Sequence, residues 1–104
     1  VVSGGKPYIE KQTNTETIRM FDVKLSDLYV WHRDENNRTI TVKQGTGWRF
    51  QFDNELPFPI VPGDQIFIPH YHYHRLIPGD DNLIISIEEE LDFQESIDSL
   101  LKNI

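Results

Sequence analysis

Gly63-Asp64-Gln65-Ile66-Phe67-Ile68-Pro69-His70-Tyr71-His72-Tyr73-His74-Arg75 is the stretch whose reading decides the fold. It opens on a Pro62-Gly63-Asp64 turn and runs into a segment whose apolar residues alternate at Ile66 and Ile68, the pattern of a half-buried strand. Pro69 has no backbone N–H to give a sheet ladder, so the strand is expected to end there. Three histidines follow within five residues. Histidine is the commonest metal ligand and titrates unperturbed near neutral pH, so such a cluster signals chemistry.

Working outward, Arg38 to Gln44 alternates Ile40 and Val42 with polar residues, turns at Gly45-Thr46-Gly47, and alternates again at Trp48, Phe50 and Phe52. Upstream lies Trp31-His32-Arg33-Asp34. The Gly-Asp, four residues, Pro, four residues, His arrangement ending at His74 resembles the second motif of the cupin superfamily, and residues 38–53 resemble its strand–glycine–strand hairpin. The resemblance covers roughly residues 16–90. It implies a small β-barrel of jelly-roll type, about eight strands, with His74 projecting inside. Trp31 to Asp34 lies where cupins carry His-x-His, but the second histidine is Asp34 here. The family's glutamate, seven residues before the glycine, coincides with Arg38.

Length and composition bound what remains. A chain of 104 residues is one domain. Its formal charge of −7 and pI near 4.9 argue against nucleic acid or an anionic membrane as partner, though not against a local basic pocket. With no cysteine there is no disulfide, thiolate metal site or thiol catalysis. No apolar run approaches the roughly 20 residues of a membrane span. A soluble, cytoplasmic protein is the expectation.

Along the chain, residues 1–15 read as an arm with at most one short strand around Tyr8-Ile9, and residues 16–90 as the barrel. Ile18 and Met20, then Val23 and Leu25, alternate like a strand, with an irregularity at Phe21-Asp22. Pro57, Pro59 and Pro62 mark a loop or sheet edge. Leu83, Ile85 and Ile87 alternate once more, and Glu88-Glu89-Glu90 reads as a solvated strand end. In residues 91–104, Phe93, Ile97, Leu100, Leu101 and Ile104 fall at helical spacing behind an Asp92…Glu95 cap, predicting an amphipathic helix packed on the barrel or on a dimer partner. A homodimer is expected.

The candidate site follows. Residues i and i+2 of a strand share a face, so an extended Trp31–Asp34 segment points His32 and Asp34 the same way. The resemblance implies that His74 joins them. Two imidazoles and a carboxylate suit iron, zinc or manganese, with open positions left for water or substrate. Arg38 has no lone pair to donate and is no ligand. An Asp34–Arg38 ion pair in a barrel without metal is the plainer reading of the same residues. Arg38 and Arg75 are candidates for holding an anionic small-molecule ligand, with Trp48 and Phe50 as further contacts and Trp48 partly exposed. His70 and His72 are expected on the rim, thrown apart from His74 by a turn at Tyr71, where the family shows glycine. A straight chain would instead gather all three histidines on one face. Two functions stand: a metal-dependent oxygenase or isomerase/lyase acting on a small organic-acid or sugar-like substrate, and a metal-free cupin serving as a ligand-binding or assembly module.

Overall fold

A computed structural model describes residues 6–25 and 29–90. Eight strands form: β1 (Tyr8–Gln12), β2 (Thr17–Phe21), β3 (Asn37–Gln44), β4 (Arg49–Phe52), β5 (Phe58–Pro59), β6 (Gln65–Ile68), β7 (His74–Ile77) and β8 (Leu83–Glu90). They make two antiparallel sheets, one in the order β1-β2-β8-β3-β6 and the other β5-β4-β7. Among the described residues the architecture is all-β, as expected. The helix expected over residues 91–104 lies outside the described residues. No described helix is long and apolar enough to cross a membrane.

The alternating positions supply the core. Ile40 and Val42 of β3, Ile66 and Ile68 of β6, and Leu83, Ile85 and Ile87 of β8 face Phe50 of β4 and Leu76 of β7, all buried. Each large apolar side chain removed from water contributes on the order of 1.5–3 kcal/mol, so this inter-sheet layer dominates the fold's stability. The short proline-rich β5 is an edge, where a missing N–H costs no ladder bond.

On β2 the residue that faces inward is Phe21, 7% exposed against 36% for Met20. A strand's period is two, so placing Phe21 inside turns Ile18 and Met20 outward and Arg19 inward. Trp48 is not partly exposed but wholly buried. Its indole N–H donates to the Asp81 carbonyl at 2.7 Å, while Thr46 N–H donates to Asp81 Oδ1 at 2.7 Å and Asp80 N–H to the Thr46 carbonyl at 2.8 Å. The 79–81 turn therefore closes over the hairpin corner and seals the tryptophan. Gly79 permits this approach, since a Cβ there would collide with the Thr46 carbonyl oxygen.

Candidate metal centre

Residues 29–36 carry no regular strand apart from one bridge, yet they are fixed from both sides. His32 N–H donates to the His74 carbonyl at 3.0 Å and His74 N–H to the His32 carbonyl at 2.9 Å. Two residues on, Tyr71 N–H donates to the Asp34 carbonyl at 2.7 Å. The main chain thus brings the two histidines side by side, with the Asp34 carboxylate beside them. One ligand atom from each of His32, Asp34 and His74 lies within 4.8 Å of the others.

The side chains are oriented as well as gathered. The His74 Nδ1–H donates to the His72 carbonyl at 2.8 Å, and the His32 Nδ1–H donates to the Val30 carbonyl at 3.1 Å. A carbonyl oxygen only accepts, so each Nδ1 carries the proton and each Nε2 is left to face the site. Such a bond from the far nitrogen is the usual support of a metal-bound imidazole. Phe50 stacks on His74 at 5.6 Å with planes 12° apart, and the two imidazole centroids are 4.3 Å apart.

Asp34 divides its two oxygens. Oδ1 takes Arg38 Nη1 at 3.1 Å, and Arg38 is held in turn by Glu89 Oε1, at 2.8 Å from Nε and 2.6 Å from Nη2. Oδ2 is buried without a hydrogen bond. His74 Nε2 stands 3.3 Å from it, close enough for charge attraction but not aligned for a bond. With its Nδ1 protonated, a neutral His74 aims a lone pair at a carboxylate lone pair. A positive charge belongs between them, a proton or a metal ion. Two donors at zinc-like distances of about 2.1 Å stand roughly 3.0–3.4 Å apart, so the spacing suits an ion.

Electrostatics keep the donors available. Burial is the largest influence on His32 and lowers its pKa below the ordinary value, with His74 and Arg38 acting the same way against the Val30 carbonyl and Asp34. Burial alone would raise Asp34, but His74, Arg38 and His32 together outweigh it and hold the carboxyl below its usual range.

The site opens on a cavity of about 430 Å³ between the sheets, with Ile40, Phe50, Ile68, Leu76, Ile85 and Ile87 in its wall. Arg38 and Phe50 line it. Trp48 and Arg75 do not line it. Trp48 is sealed behind the 79–81 turn, and Arg75 lies over the Trp31 ring at 4.6 Å with its Nε donating to Gln51 at 2.9 Å. His70 and His72 are exposed, on a turn that Tyr71 makes at φ 61°, so the three-histidine face does not form. Two features escaped the sequence reading. Glu89 is the anchor of Arg38 rather than a free strand end, and Arg19 with Lys6 reaches the cavity. Phe21 was the available signal for Arg19, since a buried Phe21 turns Arg19 inward.

No family model matches the chain, and no curated protein matches it. Solved structures do. A cupin-2 domain protein from Shewanella frigidimarina superposes with a TM-score of 0.58 at 17% identity, over 80% of this chain and 79% of that one. A structure of the DMSP lyases RdDddP and RnDddQII gives 0.63 at 19%, over 74% and 38%. FeII HppE gives 0.61 at 7%, over 86% and 59%. The chain therefore spans less than two thirds of the DMSP lyase and HppE chains it matches.

Proposed function

Because the chain has the cupin fold, we propose that its cavity holds a divalent metal on His32, Asp34 and His74 and acts on a small organic-acid or sugar-like substrate, as an oxygenase or an isomerase/lyase. One observation carries the reading: Asp34 Oδ2 is buried, lacks a hydrogen bond, and faces the Nε2 of an imidazole whose other nitrogen is already committed. The similar structures include DMSP lyases and an iron(II) protein, which is consistent with it. A bound ion would supply Lewis-acid polarisation or redox chemistry at open coordination positions. The chain's own residues do the rest. His74 and then Arg38 hold the Asp34 carboxyl below its ordinary range, and Arg38, clamped by Glu89, engages Oδ1 so that Oδ2 is left facing His74. Phe50 and the aliphatic wall surround the site with apolar side chains, which strengthens the polar contacts beside them.

The metal-free reading keeps one observation of its own: Arg38 places a fixed positive charge beside Asp34. Titration of iron, zinc and manganese into chelator-stripped protein separates the two. Wild type is expected to bind, more weakly below about pH 6 as imidazoles protonate. His74→Ala is expected to abolish binding, and His70→Ala and His72→Ala to leave it unchanged. Wild type that takes up none of the three metals would leave a ligand-binding or assembly module.

A further inference from the structure

Basic side chains gather at the cavity of an acidic chain. A protein of net charge −7 turns Lys6, Arg19 and Arg38 toward one cavity whose charged lining, among the described residues, otherwise consists of Asp34. Arg38 is spent on Asp34 and Glu89. Arg19 is not. Its side chain is 17% exposed, its Nε donates to Glu10 Oε1 at 2.7 Å, and its guanidinium lies over the Tyr8 ring at 4.1 Å. A guanidinium has five N–H donors in a planar fork, so the pair with Glu10 occupies the Nε edge and leaves the Nη groups for a second partner. Among the described residues no second anion pairs with it.

The sheet register separates this arginine from Arg38, the residue that pairs with Asp34. Arg19 stands opposite Ile85 on β8 and Arg38 opposite Glu89. Four residues of strand are about 13 Å. Between them lie apolar side chains, with Ile87 of β8 in the wall.

From this we infer that Arg19 is the anchor for a carboxylate at the end of the substrate remote from His32, Asp34 and His74, so that the substrate is an elongated acid whose reacting end and anionic end are several bonds apart. The inference rests on the reading of this cavity as a substrate site, and it narrows that site's ligands to acids with a flexible or apolar middle. A planar fork suits a carboxylate better than an ammonium does.

Adipate, succinate and uncharged dimethyl adipate serve as probes, titrated calorimetrically into zinc-loaded and chelator-stripped wild type, Arg19→Gln and Arg19→Lys. Zinc affinity is measured separately for each. Adipate is expected to bind wild type more tightly than succinate, and Arg19→Gln to weaken adipate about 10- to 100-fold, the worth of a charge-assisted hydrogen bond. Arg19→Lys keeps the charge opposite Glu10, and with it the fold, and is expected to lose only part of that affinity. Dimethyl adipate is expected to distinguish none of the variants, and zinc affinity to be the same in all three proteins. Adipate affinity unchanged in Arg19→Gln, or failure of wild type to bind either diacid, overturns the inference and leaves the metal reading standing. Where Arg19→Gln does not fold, an unweakened Arg19→Lys overturns it equally. Loss of adipate in Arg19→Gln by a wild type that takes up no zinc supports the anion subsite and sinks the metal centre.

Discussion

At the scale of single residues, His32 and Asp34 tie the candidate site to pH. His32 is lowered from an ordinary value of 6.5, chiefly by burial. As pH falls through 6.5 the unfolded chain takes up this proton and the folded chain does so only lower, so folding loses stability across that window. Asp34 is lowered from 3.8, burial being outweighed by His74 and Arg38. Its contribution is complete above 3.8 and is lost as pH falls through the folded value. Urea midpoints of metal-stripped protein are therefore expected to be level from about pH 8 to 7 and then to fall in two stages. His32→Asn should flatten the first stage and Asp34→Asn should lessen the second. An equally steep first stage in His32→Asn would place that titration elsewhere. The i, i+2 relation of His32 and Asp34 was legible because extended backbone enforces it. The division of Asp34 between Arg38 and His74 was not, since it depends on Glu89, a residue 51 positions from Arg38.

At the scale of elements, the strands that alternate cleanly were readable, and β3, β4, β6 and β8 stand where the pattern put them. Where tertiary packing overrides a local pattern, sequence misleads. Trp48, next to the hairpin corner, is expected to be partly exposed, but the turn that seals it arrives more than thirty residues later. The 69–73 turn shows the opposite case. Tyr71 takes the left-handed backbone that glycine favours, at φ 61°, with Arg33 lying 5.5 Å from its ring centroid. A side chain there costs roughly 1–2 kcal/mol. Tyr71→Gly removes that strain but loses about 0.5–1 kcal/mol of cation–π contact and adds chain entropy to the unfolded state. The expected result is a denaturation midpoint close to wild type for Tyr71→Gly and a clearly lower one for Tyr71→Val, whose branched Cβ tolerates this region worst. A glycine variant as damaged as the valine one would show that the ring, not the backbone, holds the turn.

At the scale of the whole molecule, the order of strands in the sheets was beyond the sequence, because pairing of β8 with both β2 and β3 is a long-range choice that periodicity does not encode. The outer face of the larger sheet leaves Ile9 45%, Met20 36% and Phe67 51% exposed. Exposed apolar side chains on one sheet face suit association. We expect a homodimer, with light scattering at micromolar concentration returning about twice the 12.2 kDa chain mass; a value near 12.2 kDa would be a monomer. The paired main-chain bonds between His32 and His74 have a consequence at this scale too. They join segments more than forty residues apart, so the donors are mustered when the strands close and not when an ion arrives. Closing that loop is an entropic cost already met by folding. Were the proposed ion to bind there, its loading would be a matter of stripping hydration water from the cation, the donors having been gathered by the closing of the strands.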